Sequence, residues 1–365
     1  MEVDCKRERG AEVRERIMVG MSGGVDSSVA ALLLREAGAE CVGVTMEMLP
    51  AGSPAAEEAR AAAEKLGMEH HVFSAAARFE QKVIRPFVET YERGGTPNPC
   101  IECNRTMKFS YLYDLARAHG CSAVATGHYA RIGRREDGRW LLKKGLDEEK
   151  DQSYFLYVLT QEMLAHSRFP LGELTKEAVR ALAEQYGLLN AHKRDSQDIC
   201  FVPDGDYERF IRRYTGKDYP QGDFVDEDGR PLGRHRGIIG YTVGQRRGLG
   251  ISAKKPLYVC RKVPEENAVC LAEEAALYSR VLFAKNINLI AAERLEGPVR
   301  CAARIRYRHR EQPATAVQLD EDTLRVEFDE PQRAITPGQS AVLYLGDVVL
   351  GGGIIYEPAE GEGEK

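Results

Sequence analysis

Two stretches of this 365-residue chain hold chemically capable side chains at spacings that packing alone does not require. Near the amino terminus the apolar run IMVGM enters SGGVDSS and then VAALLLREAG. Gly23 and Gly24 let the backbone turn tightly and approach a ligand closely, Ser22, Ser27 and Ser28 supply hydroxyls, and a helix beginning at Val25 turns its unbonded amides into the loop. Such a loop takes an anion. A kinase-type loop, G-x-x-x-x-G-K-[ST], carries a lysine that reaches the transferred γ-phosphate, and that lysine is missing here. Asp26 is a candidate Mg²⁺ partner. The second stretch, GGTPNPCIECN, places Cys100 and Cys103 in a loop stiffened by Pro97 and Pro99, just ahead of the helical segment KFSYLYDLARAHG. A C-x-x-C pair near a helix N-terminus is expected to have lowered thiol pKa values; two packed thiols are the plainer alternative. No second cysteine pair offers zinc-finger spacing, so structural zinc is not expected. Cys200, flanked by Ile199 and Phe201 in SQDICF, reads on its own as a small core hydrophobe.

The elements that must position these groups follow from periodicity. Strands are expected at Ile17 to Met21, Glu40 to Met46, Glu69 to Phe73 and Ala123 to Thr126, with helices at Val25 to Ala37, Pro54 to Leu66, Phe79 to Glu92 and Lys108 to His119. The alternation predicts a doubly wound α/β domain with a parallel sheet, whose ligands sit beyond the carboxyl ends of the strands. Ser153 to Leu189 reads as helical, with Thr175 as an N-cap and Gly187 as a stop. From about residue 205 onward, Gly, Pro and Asp-Gly turns separate short alternating strands, as in small β-domains or barrels. The expected organisation is a disordered leader over 1–16, a catalytic domain over 17–207, a small central domain over 208–281, a C-terminal β-barrel over 282–356 and an acidic tail over 357–365.

Composition bounds the function. The chain is 43% apolar and 29% charged, and no apolar run approaches the roughly 18 residues of a membrane span. The charged leader lacks the apolar centre of a secretory signal, and nine cysteines in a chain this long suit a reducing compartment, so a cytoplasmic enzyme is expected. The net charge of −5 hides basic clusters at 131–144, 192–194, 209–217, 230–236, 246–255 and 304–310 that could touch phosphates.

The SGGVDSS loop resembles the PP-loop of ATP pyrophosphatases, which cleave between the α- and β-phosphates and leave a substrate adenylated. With TPNPCIECN, ATGHYAR, KDQSYFL and SQDICF following in that order, the chain closely resembles the bacterial tRNA-specific 2-thiouridylases from about residue 17 to 356. The resemblance implies a PP-loop domain, a small central domain and a C-terminal β-barrel. It implies that ATP contacts Gly20, Met21, Ser22, Gly23, Gly24, Val25, Asp26, Ser27 and Ser28, with Met46 and Gly127 near the adenosine. Cys200 would carry a persulfide and Cys103 would be its catalytic partner, the two able to form a transient disulfide. Asn98, Pro99 and Cys100 would touch the target base, although the family commonly has aspartate at the last of these positions. His128, Lys150, Asp151, Gln152, Arg306, Tyr307 and Gln339 would contact tRNA. The implied reaction adenylates O2 of the wobble uridine and then replaces that oxygen with sulfur. Its partners would be tRNAs of the Lys, Glu and Gln type and a persulfide donor such as a cysteine desulfurase or sulfur carrier.

Alternatives remain open at this level. Cys100, Cys103 and Cys200 could hold three corners of an iron–sulfur cluster. The same loop also serves other PP-loop ligases, which have no need of Cys103 or Cys200, and a non-catalytic RNA-binding module is a further class. In RIRYRHR, a strand would set Arg304, Arg306, Arg308 and Arg310 on one face about 6.6 Å apart, near the spacing of successive phosphates. A charge-protected edge strand is the bland alternative.

Overall fold

The computed structural model describes residues 14–49, 54–188 and 199–358. Residues 1–13 of the leader expected over 1–16 and residues 359–365 of the tail expected over 357–365 lie outside the described residues, as do 50–53 and 189–198. Strands β1 (Arg16–Gly20), β2 (Glu40–Glu47), β3 (Glu69–Ser74) and β4 (Ala123–Ala125) alternate with helices, among them α1 (Val25–Glu36) and α2 (Pro54–Lys65). A hairpin, β5 (Ala130–Arg134) and β6 (Trp140–Lys144), precedes the two-residue β7 (Ser167–Arg168).

β1 to β4 and β7 make a parallel sheet in the order β3-β2-β1-β4-β7. Ile17 and Val19 of β1 pack into one apolar layer and Met18 into the other, which is why this strand reads as a continuous apolar run. The strand order reverses between β1 and β4, and at such a switch point a crevice opens beyond the carboxyl ends of the two strands. The loop after Gly20 and the residues after Ala125 border it.

The cysteine pair corrects one expectation. Cys100 and Cys103 lie on a helix, not in a loop before one: an α-helical turn Pro99–Cys103 continues through π-helical Asn104–Tyr111 into α-helical Leu112–Ala118. The side chain of Asn98 accepts the Cys100 amide at 3.2 Å, and Pro99, which has no amide to satisfy, fits the first helical position. The stretch expected to be helical from Ser153 is broken into helices Ser153–Leu156, Gln161–Ala165 and Lys176–Gln185, with β7 between the second and third. Thr175 caps the last of these through the Ala178 amide, and Gly187 follows its end at φ 61°.

A four-stranded sheet combines β8 (Gly222–Val225), β9 (Pro231–His235), β10 (Tyr258–Val263) and β11 (Ala268–Ala272) in the order β10-β11-β8-β9. The remaining strands are β12 (Tyr278–Leu289), β13 (Val299–Arg304), β14 (Gln312–Gln318), β15 (Thr323–Arg333), β16 (Ser340–Leu345) and β17 (Val348–Tyr356). They follow one another as β12-β15-β14-β13-β16-β17, and β12 also pairs with β17, closing a six-stranded antiparallel barrel. The β5–β6 hairpin joins this barrel rather than the parallel sheet, through Val348 opposite Lys143. The fold class is therefore the expected one: a parallel α/β sheet, a small central unit and a barrel.

RIRYRHR is not a strand. β13 ends at Arg304, and the chain then bends and turns, with the His309 amide donating to the Arg306 carbonyl at 3.0 Å. The Arg304 guanidinium donates to the carbonyls of His309 and Tyr307 and so stabilises the turn that breaks the alternation.

The three parts share cores. Tyr154 and Tyr157 pack with Val342 and Tyr344 of the barrel, and their hydroxyls bond to Ser340 at 2.9 and 3.0 Å. Phe87 and Phe201 pack with Phe224 and Val259 of the central sheet.

Candidate active site

The phosphate loop is built by burial and close approach. Gly23 has φ 71°, and a Cβ there would lie 2.6 Å from the Ala55 carbonyl oxygen. The first-turn amides of α1 have no intrahelical acceptors and face the crevice. Ser27 and Ser28 are buried and donate their hydroxyls to the Gly24 carbonyl, each at 3.1 Å, while the Ser22 amide donates to the Ser27 hydroxyl at 3.2 Å. Only Ser22 of the three serines is exposed. Gly127 closes the other side: its Cβ would sit 2.7 Å from the Asp26 carbonyl carbon and 2.8 Å from the Ser27 amide nitrogen. Met46 stands half-buried at the carboxyl end of β2.

Asp26 is already neutralised. Both of its carboxylate oxygens accept from Lys176 Nζ at 2.8 Å, and the Tyr129 hydroxyl donates to Oδ1 at 2.7 Å. Lys176 is 3% exposed and opens its helix, where the dipole disfavours a cation. That misplaced charge was the sequence signal for a carboxylate partner, and neither Lys176 nor Tyr129 was singled out from the sequence. Both oxygens of Asp26 are thus already hydrogen-bonded, and among the described residues no group of three or more His, Cys, Asp or Glu side chains is arranged to hold a metal.

The three cysteines gather by a different route. Cys103 lies one helical turn past Cys100, and Cys200 approaches on a segment anchored by Phe201, whose ring packs edge-on against Phe79 and Phe87 at 5.8 and 5.2 Å. All three are reduced. Cys100 and Cys200 are accessible to solvent, yet enough protein surrounds them to raise both thiol pKa values. Burial pushes Cys103 up to about 11, with the charge of Lys108 opposing it and the thiols of Cys200 and Cys100 adding to it. This reverses the expected lowering: desolvation outweighs the helix N-terminus. Among the described residues the three thiols do not form a metal-holding group, so the arrangement gives the iron–sulfur alternative no support.

The residues expected at the RNA surface divide into exposed and structural. His128 is buried, shares a hydrogen bond with the Thr126 hydroxyl at 2.7 Å and packs on Phe109; burial holds its pKa well below 6.5. Asp151 is buried too, accepting from the Gly145 and Ser153 amides at 3.1 Å and from Arg304 of the barrel at 3.4 Å. Gln152 brackets Tyr129 through its side-chain oxygen and its amide, at 3.0 and 2.9 Å. Lys150 is half-buried beside Asp147. Tyr307 packs on Phe155 at 4.3 Å between ring centroids, and the Phe155 carbonyl accepts from Asn104, the residue after Cys103. Arg306 is half-buried against the Arg333 carbonyl. Gln339 donates to the Thr96 carbonyl at 2.8 Å, and the Thr96 amide donates to Pro337 at the same distance. The barrel thus grips the segment that leads into Asn98, Pro99 and the cysteine helix.

The comparisons with known proteins agree with this architecture. Residues 15–204 match the family described as the tRNA methyl transferase HUP domain, 208–273 the tRNA methyl transferase PRC-barrel domain, and 279–355 the aminomethyltransferase beta-barrel domain. The tRNA-specific 2-thiouridylase MnmA 1 of Caldanaerobacter subterraneus subsp. tengcongensis is 49% identical over 358 residues, covering 94% of this chain and 98% of the relative. The tRNA-specific 2-thiouridylases MnmA of Acetivibrio thermocellus and Clostridioides difficile are 48% and 46% identical, each over 94% of this chain and over 99% and 98% of their own lengths. A nucleotide crevice at the sheet's switch point, three gathered cysteines and relatives this similar over nearly the whole chain lead to one conclusion: the chain belongs to the tRNA-specific 2-thiouridylase family.

Proposed function

We propose that this chain is the ATP-dependent tRNA-uridine 2-sulfurtransferase its family implies, acting on the wobble uridine and working through cysteine persulfide chemistry. The reading is supported by relatives 46% and 49% identical over 94% of the chain, together with Cys103 on its helix and Cys200 brought beside it on a separate segment.

ATP enters the crevice with its phosphates on the amides of Gly23 to Ser28 and its adenosine toward Met46 and Gly127. Asp26, paired to Lys176 at the mouth of the loop, is the residue that would hold a magnesium ion, which would supply counter-charge to the phosphates. O2 of the uridine attacks the α-phosphate and pyrophosphate departs into the loop, where aligned amides stabilise its charge without reorganising. The terminal sulfur of a persulfide on Cys200 then adds at C2, forming the carbon–sulfur bond. The Cys103 thiolate attacks the Cys200 sulfur, breaking the sulfur–sulfur bond; the released electron pair forms the thiocarbonyl and expels AMP. A Cys103–Cys200 disulfide remains, and an external dithiol reduces it.

The target base must leave its stack to reach both centres, and Asn98, Pro99 and Cys100 line its approach. Arg306, Tyr307 and Gln339, with the turn at Lys150 to Gln152, border the same face. For the buried His128 and Asp151 the reading is one of shaping that face. The substrates are tRNAs of the Lys, Glu and Gln type, and the sulfur comes from a desulfurase or a persulfide carrier in the cytoplasm; no helix of the described residues is long and apolar enough to cross a membrane.

The test is nucleoside analysis of a tRNA transcript incubated with the protein, ATP and a persulfide. Thiouridine, AMP and pyrophosphate should form in equal amounts. Cys103→Ser and Cys200→Ser should each stop thiolation while pyrophosphate release continues. A doubly substituted protein that still turns tRNA over completely would instead identify another PP-loop ligase.

A further inference from the structure

Lys108 is a half-buried cation that the phosphate-loop and cysteine chemistry leave unexplained. It lies on the cysteine helix, five residues past Cys103, in the π-helical stretch Asn104–Tyr111. At 3.6 residues per turn, a residue five positions on would point about 140° away from Cys103. A π-helix winds more slowly, at about 4.4 residues per turn, so five positions on Lys108 returns to within about 50° of the direction of Cys103. Such π-turns break regular helix geometry and recur at functional sites. Among the described residues no carboxylate forms an ion pair with Lys108, although 29% of the chain is charged.

We propose that Lys108 is the counter-charge of sulfur transfer, holding the anionic sulfur that forms on Cys103 and Cys200 while the base is attacked. This rests on the thiolation reading above. Among the described residues its charge is the one cation acting on all three thiols: Cys103 faces Lys108, Cys200, Cys100 and Glu102, Cys200 faces Cys100 and Lys108, and Cys100 faces Lys108. Burial drives these thiols toward the neutral form, so an attacking thiolate needs a compensating charge at the moment it forms. Lys108 supplies that charge from the helix that carries Cys103, while Cys200 comes to it on a separate segment. Deprotonation of the Cys103 thiol sends its proton to solvent before the thiolate attacks. The sulfur–sulfur exchange then proceeds between an anion and a neutral disulfide-like bond, with the cation alongside both sulfurs.

The experiment measures alkylation of Cys103 by iodoacetamide across pH, quantified by peptide mass spectrometry, in wild type, Lys108→Met and Lys108→Arg. Lys108→Met should alkylate about tenfold more slowly near neutral pH, the effect of about one pKa unit, with its whole profile displaced to higher pH. Lys108→Arg should restore most of the rate. In single-turnover assays, Lys108→Met should lose thiolation by about a hundredfold while pyrophosphate release stays within about twofold. Identical alkylation profiles for wild type and Lys108→Met would overturn the proposal, as would a Lys108→Arg protein that folds but resembles Lys108→Met. A displaced profile in a chain whose wild type makes no thiouridine would keep the counter-charge and sink the thiolation reading, so the two fail separately.

Discussion

Replacing Gly127 with alanine probes the junction between phosphate loop and sheet. The added Cβ would meet the Asp26 carbonyl carbon at 2.7 Å, the Ser27 amide nitrogen at 2.8 Å and the Asp26 Cβ at 2.9 Å, whereas ordinary contact begins at 3.4 Å. The first turn of α1 and the end of β4 must therefore separate by about 0.7 Å, the difference between the shortest of those contacts and an ordinary one. Two of the three obstacles are backbone atoms, so no flexible side chain can swing aside. Overpacking of this kind costs about 1–3 kcal/mol. The same displacement carries the phosphate-binding amides with it, and a misplacement approaching 1 Å costs catalysis up to about a hundredfold. Gly127→Ala should thus unfold at a lower temperature and show a KM for ATP raised by about ten- to a hundredfold in tRNA-dependent pyrophosphate release. Gly38→Ala is the control. That residue ends the α1 turn at φ 90° with open space where a Cβ would go, so it should cost about 1 kcal/mol or more of stability and leave KM for ATP unchanged. A Gly127→Ala protein with wild-type KM and unfolding temperature would refute the close-approach reasoning.

Lys176→Met removes the partner of Asp26. Breaking a buried pair costs about 3–5 kcal/mol, and the 30% exposure of Asp26 places the expected loss near about 3 kcal/mol, read as a lower urea midpoint; an unchanged midpoint would show that the pair contributes nothing. Burial holds His128 well below its ordinary pKa and pushes His309 to about 4, and it lowers His70 and His235 as well. Below about pH 6.5 these rings bind protons in the unfolded chain but stay neutral in the folded one. Their contribution to stability is complete above that pH and is lost as pH falls toward the folded-state values. Urea midpoints should therefore drop between pH 7 and pH 5, and His128→Phe should flatten part of the drop; equal slopes in wild type and variant would contradict the assignment.

How much of this was legible depended on how local the cause was. Strands β1 to β4 and helices α1 and α2 follow from apolar runs and amphipathic stretches whose pattern is set by neighbours in sequence, so their expected bounds lie within a residue or two of the observed ones, whereas β7 falls in a stretch expected to be helical. The Thr175 cap and the Gly187 stop were legible for the same reason. The cysteine helix was not, because Pro97 and Pro99 look like loop signals until Asn98 is recognised as a cap that makes Pro99 a first helical residue. Alternating arginines in RIRYRHR suggested a strand, but Arg304 bonds to carbonyls three and five residues ahead, and the turn prevails over the alternation. Contacts between distant segments stayed hidden altogether: the β5–β6 hairpin on the barrel, Lys176 on Asp26, and the crowding that raises the cysteine pKa values. Lys108 was invisible because its placement depends on π-helical geometry, which residue periodicity does not announce.

The central claim is that sulfur passes from Cys200 to the wobble uridine with Cys103 as its partner. The most direct measurement loads metal-free protein with one labelled persulfide sulfur, adds ATP and a tRNA transcript, and follows the label through a single turnover. The account predicts label first on Cys200, then in 2-thiouridine at the first anticodon position, with one Cys103–Cys200 disulfide formed per thiouridine. Label that reaches tRNA as readily in Cys200→Ser, or transfer that begins only when iron and sulfide are restored, would contradict it.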